Sequence, residues 1–198
     1  MSNNTEMVKK NSAGALSPIN LRADSGKGTE EIKASDTSTP ILKILHQLSP
    51  ECNTRNAKHV EGAKPGMIYS SSFGSLIDGD VGLNVVICHS QTRFPEWQER
   101  GDSAAAPVGT HMEPPKDAVE ERNGKYRLSN GNYCEKTMYF YVLALIGDET
   151  RKAVITMRSS NLTPGRELNN LIQNLRATDD KGSFRPAAYS AIFNLKTV

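Results

Sequence analysis

The sequence predicts a mainly β domain, a small antiparallel barrel or sandwich with one or two short helices. Five or six segments have the alternating or β-branched apolar pattern of strands, and Gly, Pro and Asn turns separate them. Clear helical periodicity occurs in one segment, late in the chain. There is no regular alternation of strands with helices and no internal repeat of about 20 to 50 residues, which disfavours a parallel α/β fold or a solenoid.

Composition divides the chain into a tail and one domain. Of the 198 residues, 37% are hydrophobic and 23% charged, and the mean hydropathy is −0.51. All twelve aromatic residues lie at or after Tyr69. Residues 1–38 are rich in Ser, Thr, Asn and Lys and can bury too little apolar surface to offset their ordering entropy. We therefore expect a disordered tail over 1–38 and a folded domain over 39–198.

Charge and cysteine content exclude several classes of protein. The formal net charge is +2, which excludes a strongly basic, histone-like binder but leaves room for a local basic groove. No apolar run reaches the length of a membrane-spanning helix, and the N-terminus has no signal-peptide core. Three widely spaced cysteines cannot form a disulfide framework. These features predict a protein of the cytoplasm with no membrane partner.

The first half of the domain contains one short helical pattern followed by strands. Apolar residues in 41–48, after Pro40, recur at helical spacing and predict one or two helical turns. Residues 67–71 and 82–89 are predicted strands, and 92–97 extends the second or forms the next. Within 92–97, Pro95 requires an edge position or a bulge. Residues 101–118 are predicted to be a long loop.

The second half contains the strongest patterns. Residues 126–128 with the Asn130–Gly131 turn predict a hairpin. Residues 137–146 alternate strictly, and 152–157 are predicted to pair back on them. The predicted helix has Thr163 as its cap, Pro164 at its first position and apolar residues as far as Leu175. A final strand is predicted over 189–196.

Catalytic signatures are absent from the sequence. There is no phosphate-binding glycine loop and no nucleophile elbow. The histidines have no zinc-type spacing relative to one another or to cysteines. Neighbouring carboxylates, at 120–121 and 179–180, lie beside predicted turns and are typical of solvated surface, although a nuclease site could use them. We expect a binding protein rather than an enzyme, with no cofactor and no metal.

Aromatic and cationic residues alternate in two strand-like segments, 93–100 and 136–141. Single-stranded nucleic acid requires both types of group, because cations neutralise phosphates and flat rings stack on unpaired bases. Each of these features also has a structural explanation: Trp97 could be a core residue, and arginines near the helix could serve as surface charge. In 137–146, Met138, Phe140 and Val142 form the better core set, which leaves Tyr139 and Tyr141 on the other face.

Several short motifs, in order, resemble a family of small bacteriophage proteins that bind single-stranded DNA. They are 63–69 (AKPGMIY), 85–89 (VVICH) with 93–97 (RFPEW), 128–132, 141–143 and 153–160 (AVITMRSS), and the resemblance covers about residues 40–198. In that family the AVISM-type strand leads into a helix with an Arg and an Asn, which correspond here to Arg166 and Asn169. The resemblance implies an OB-like barrel. Such proteins often end in an acidic tail, whereas this chain ends at Val198 without an acidic run.

The combined interpretation is a protein that binds single-stranded DNA without sequence preference during phage replication, recombination or transcription. The expected contacts divide into phosphate-binding cations and base-stacking rings, with Tyr69 and Phe73 as further rings. The cations are Lys64, Arg93, Arg100, Lys136, Arg158 and Arg166, and the rings are Phe94, Trp97, Tyr139 and Tyr141. Further expected partners are phage replication or transcription proteins and a second copy of the chain. The alternative is an interaction module that binds a host or phage polymerase through the same aromatics.

Overall fold

The computed structural model describes Glu31, Lys33 and residues 39–99 and 107–197. The predicted tail, 1–38, therefore lies almost entirely outside the described residues. Residues 39–99 and 107–197 are mainly β, as expected. The strands are β1 (Ile41–Ile44), β2 (Ile68–Ser70), β3 (Ser75–Ile77), β4 (Leu83–Trp97), β5 (Gly109–His111), β6 (Val119–Arg122), β7 (Lys125–Arg127), β8 (Tyr133–Glu135), β9 (Thr137–Ile146), β10 (Glu149–Arg158), β11 (Ala177–Asp179), β12 (Gly182–Phe184) and β13 (Ile192–Leu195), and the helix is α1 (Leu162–Gln173).

Eleven of these strands form one open sheet. Its order is β3-β2-β1-β10-β9-β4-β8-β7-β6, with β5 and β13 also paired to β4, while β11 and β12 form a separate hairpin. The sheet is not closed into a barrel, because β3 and β6 stand at opposite ends of this order and do not pair. The predicted barrel is therefore not confirmed. The antiparallel prediction is also wrong at one pair, since β1 runs parallel to β10.

The first half of the apolar run at 41–48 forms strand β1, Ile41–Ile44, where the sequence predicted helical turns. Ile41 lies opposite Val154 of β10, and Ile44 lies opposite Ile68 of β2. A short run of apolar residues is compatible with either structure, and here it fills the space between two strands. Leu45 is buried just after the strand, whereas Leu48 is 94% exposed, so the helical face that it was expected to complete is not formed.

The core lies between the central strands and α1. The alternation predicted for 137–146 is confirmed: Met138, Phe140, Val142 and Ala144 are buried in one cluster, to which Leu168 of α1 also belongs. The hairpin from β9 to β10 is confirmed as well. The helix begins at Leu162, so the predicted cap Thr163 is wrong because it lies inside the helix. The residue at the N-cap position, Asn161, makes no side-chain capping hydrogen bond. No helix in the described part of the chain is long and apolar enough to cross a membrane.

Strand β4 joins the two segments that were predicted at 82–89 and 92–97. Its pairing with β9 has an irregularity between Ile87 and His89 and ends at Arg93, and its pairing with β8 begins at Glu96. Pro95 lies between these two ladders, where no hydrogen bond to β9 or β8 is required of its missing N–H. The continuous strand therefore carries the chain from the main core into a second sheet region.

The second region is built on the predicted hairpin. Strands β7 and β8 pair around Asn130–Gly131, where Gly131 has a φ of +85° that favours glycine. Phe94, Leu128 and Cys134 form a second, smaller core there. The predicted loop at 101–118 is described only from residue 107, and it contains β5, which pairs with β4.

Gly82, just before β4, is predicted to be intolerant of a side chain. Its φ is +81°, and an added Cβ would lie 2.7 Å from the backbone oxygen of Leu195. We expect Gly82→Ala to lower the free energy of unfolding by about 1–3 kcal/mol, because both the backbone conformation and the contact become strained. Urea denaturation measures this loss. The matched control is Gly147→Ala, since Gly147 has a φ of +58° but open space around it. Equal losses in both variants would show that the contact with Leu195 is unimportant.

Candidate nucleic-acid interface

A cleft of about 920 Å³ lies at the far end of β4 and is called the Trp97 cleft here. Its walls come from β4, β8, the β6–β7 hairpin and the segment that follows β10. The lining combines two aromatic rings and three cations with two carboxylates and small polar groups: Trp97, Glu99, Arg122, Asn123, Lys125, Tyr133, Glu135, Arg158, Ser159 and Ser160. A volume of this size is typical of sites that bind small molecules or parts of a polymer.

Each ring of the Trp97 cleft has a cation against it. Trp97 lies directly opposite Tyr133 across the β4–β8 pair, so both rings lie on the same side of the sheet. The guanidinium carbon of Arg158 is 5.5 Å from the Trp97 ring centroid, and Nζ of Lys125 is 4.4 Å from that of Tyr133. These are cation–π distances. The Trp97 indole N–H is buried and has no hydrogen-bond partner among the described residues.

The charge of the Trp97 cleft is weakly positive. Its three cations face two carboxylates, and one of these, Glu135, lies 3.5 Å from Arg158. The other, Glu99, accepts a hydrogen bond of 2.9 Å from Arg127, which is not part of the lining. Hydrogen bonds to Glu121 and then to Glu99 raise the pKa of Arg127, so this cation stays charged and compensates Glu99 from outside. Lys125 also lies 3.8 Å from Glu121, an exposed pair that a phosphate can replace at little cost, and Arg122 is the third cation of the lining.

The outer face of the central sheet continues from the Trp97 cleft, and we call it the tyrosine face. Tyr139 and Tyr141 lie on it, on the side of β9 opposite the core. Thr137 lies two residues before Tyr139 in β9, opposite Arg93 of β4 and Arg158 of β10. Cross-strand neighbours share a face, so Arg93 and Arg158 flank the end of the tyrosine face. Arg158 therefore belongs to both surfaces.

Tyr141 is held by two residues of β4. Nε2 of Gln91 donates a hydrogen bond of 2.6 Å to the Tyr141 hydroxyl, and the His89 ring lies 5.9 Å from that of Tyr141. Burial, followed by the neighbouring Tyr141, raises the pKa of Tyr139. The Tyr139 phenol therefore remains neutral near pH 7.

The structure brings together five of the ten predicted site residues: Trp97 and Arg158 in the cleft, and Arg93, Tyr139 and Tyr141 on the face that adjoins it. Phe94 is not among them. It is 7% exposed and packs edge-to-face on Tyr126 in the second core. Side chains alternate along a strand, so residues 94 and 97 point to opposite faces, and Phe94 is not placed to stack on a base.

The remaining predicted residues lie elsewhere. The side chain of Lys136 lies against Gly124, beside the cleft, but is not part of the cleft lining. Lys64 lines a separate, smaller depression. Arg166 is exposed on α1 and Arg100 lies outside the described residues. The two further rings are also unavailable, because Tyr69 is buried and Phe73 packs against the main core with Arg151 over its ring.

The sequence interpretation missed Tyr133, Lys125 and Arg122. Their strands have three or four residues, too short for a periodic pattern. The signal that could have found them is the predicted Asn130–Gly131 hairpin. Its register places Lys125 opposite Glu135 and Arg127 opposite Tyr133, which brings the cations beside the ring.

One group of potential metal ligands is also assembled in the described residues. Glu96, His111 and Cys134 have ligand atoms within 4.8 Å of one another. The histidine spacing gave no sign of this, because the three residues come from β4, β5 and β8 and meet only through strand pairing. Glu96 precedes Trp97 in the same strand, so this group lies on the opposite face from the cleft.

Comparison with known proteins places the chain in one family. No curated protein and no solved structure matches it. The model of the family described as Pam3 phage gp34-like protein matches residues 8–198. The expected likeness to phage proteins is therefore confirmed, while the single-stranded DNA-binding activity stays a prediction. The chain is a phage protein and belongs to the Pam3 phage gp34-like protein family.

Proposed function

We propose that this protein binds single-stranded DNA without sequence preference in the host cytoplasm, during phage DNA replication, recombination or transcription. The observation that supports this most directly is the junction at Arg158, where the Trp97 cleft meets the tyrosine face. The proposal requires an open sheet surface and not a closed barrel. It includes no catalytic step.

The proposed contacts follow from the chemistry of the two surfaces. An unpaired base stacks on Trp97 or Tyr133, and Arg122 and Lys125 bind the phosphates on either side of it. Arg158 binds a further phosphate at the point where the DNA passes from the cleft onto the tyrosine face. There Tyr139 offers a second stacking position. Backbone phosphates and ring faces are common to all sequences, so contacts of this kind discriminate little between bases.

Salt dependence tests the electrostatic part of this proposal. Three cleft cations neutralising about three phosphates predict a slope of about −2 for log K against log salt, since single strands give about −0.7 per contact. The measurement is titration of a fluorescent poly-pyrimidine oligonucleotide at several salt concentrations. The matched variant is Lys125→Gln, which is expected to reduce the slope by about 0.7. An affinity that does not change with salt would contradict phosphate binding.

The alternative is a protein-interaction module that binds a host or phage polymerase. Glu99 and Glu135 favour it, because carboxylates in the cleft repel phosphates but can pair with cations of a protein partner. In that case Trp97 is an interface anchor. A gel shift with single-stranded DNA distinguishes the two hypotheses: a shift supports the first, and no shift at micromolar protein supports the second.

A further inference from the structure

A second cluster of reactive side chains lies on the face of β4 that the proposed DNA site does not use. Glu96 lies directly opposite Cys134 of β8. His111 of β5 lies opposite Phe94, two residues before Glu96 in the same strand. Directly opposed residues and residues two apart in a strand point to the same face. A carboxylate, an imidazole and a thiol from three adjacent strands therefore converge there.

The carboxylate of this cluster is oriented by two amides. Oε1 of Glu96 accepts hydrogen bonds from the side chains of Asn132, at 2.6 Å, and Asn130, at 3.2 Å. Oε2 is left facing Nε2 of His111, 2.8 Å away. Ligands of metal ions are commonly positioned by such an outer layer of hydrogen bonds. The Asn130–Gly131 hairpin supplies it here.

The thiol is buried beside apolar groups. Cys134 is fully buried and packs with Phe94 and Leu128. Burial, followed by the charges of Glu96 and Asp117, raises its pKa to about 11. The thiol is therefore protonated near pH 7 in the metal-free protein. Two carboxylates near a buried sulfur disfavour a thiolate but favour a bound cation, which reverses the local electrostatics.

We propose that Glu96, His111 and Cys134 bind one Zn²⁺, with water as the fourth ligand. Thiolate, imidazole and carboxylate are the ligands that zinc uses in proteins. Binding replaces the S–H bond of Cys134 by an S–Zn bond and releases that proton to solvent. The proton on Nε2 of His111, which faces Glu96, is transferred through solvent to Nδ1, so that Nε2 can supply its lone pair to the metal, and the contact between this nitrogen and Glu96 is replaced by two metal bonds.

The geometry requires only small adjustments. Zinc–ligand bonds of about 2.0–2.3 Å place the ligand atoms of a tetrahedral site about 3.5 Å apart. The three atoms lie within 4.8 Å of one another, so no separation closes by more than about 1.3 Å, while the 2.8 Å contact between Nε2 of His111 and Oε2 of Glu96 opens by about 0.7 Å. Rotation of the half-buried His111 side chain can provide this movement.

Cobalt substitution tests the site directly. Co²⁺ added to the purified full-length protein under reducing conditions is expected to give tetrahedral d–d bands and a sulfur-to-cobalt charge-transfer band at one equivalent, which Zn²⁺ then removes. Cys134→Ser is expected to abolish the charge-transfer band. Cys88→Ser is the matched control, because Cys88 is an exposed cysteine of the same strand β4, and it is expected to retain the band.

Zinc affinity, measured by competition with a chelating dye, tests the other ligands. His111→Ala and Glu96→Gln are expected to weaken binding by more than 100-fold, and Asn132→Ala by about 10- to 100-fold through the lost orientation of Glu96. His111→Ala changes a partly exposed side chain, so the variant is expected to fold, and circular dichroism verifies this. Wild-type affinity in His111→Ala, or a charge-transfer band retained in Cys134→Ser, would overturn the proposal. So would an absence of stoichiometric binding by the wild type.

Discussion

The Phe140→Ala variant is expected to lose about 3–5 kcal/mol of unfolding free energy, the largest effect on stability that we predict. Phe140 is 0% exposed and lies in the middle of β9, between Ser90 of β4 and Ile155 of β10. Removing the ring leaves a cavity in the core that the neighbouring strands β4 and β10 cannot fill, because their backbones are fixed by pairing with β9. The total free energy of unfolding of a domain of this size is about 5–15 kcal/mol, so the variant loses a large share of its stability.

Urea denaturation followed by circular dichroism measures this loss. The matched control is Phe184→Ala, the same chemical change at a ring of β12 that is 46% exposed. We expect this control to lose less than about 1 kcal/mol of unfolding free energy, because the Phe184 ring buries little apolar surface. Similar losses in the two variants would show that Phe140 does not lie at the centre of the core.

Strong local patterns explain which elements of the fold could be predicted. Strand β9 was predicted with its observed bounds, because ten residues alternate strictly and a glycine turn follows at Gly147. The run at 41–48 was too short to separate strand from helix, and the pairing of Ile41 with Val154 decided the outcome. Closure of the sheet depends on which distant strands pair, and no local pattern contains that information.

The site was predictable only in part for a related reason. Arg93, Phe94 and Trp97 are close together in sequence and looked equivalent, but the face that each occupies depends on where the two cores form. Tyr133 lies in a three-residue strand and becomes a candidate only when the β7–β8 register is known. The Glu96 cluster likewise appears only after β4, β5 and β8 are paired. Strand register, more than residue type, determines what this surface can bind.

The Trp97→Ala variant is expected to bind single-stranded DNA about 5- to 150-fold more weakly, which corresponds to the loss of one stacked base, about 1–3 kcal/mol. The ring carries Arg158 against it and faces the cleft beside Tyr133. Its removal therefore takes away a stacking surface and also the support that positions Arg158. In the wild type, Trp97 is the single tryptophan, so quenching of its emission reports the same event.

Two further variants make this measurement specific to the cleft. Tyr189→Ala removes a ring that is 66% exposed and outside the described lining of the cleft, and we expect its DNA affinity to be unchanged. Trp97→Phe keeps a flat face and is expected to recover most of the affinity that Trp97→Ala loses. Circular dichroism verifies that each variant is folded. Equal affinities of Trp97→Ala and Tyr189→Ala would place the DNA elsewhere on the protein. A loss in Trp97→Phe as large as in Trp97→Ala would contradict base stacking at this position.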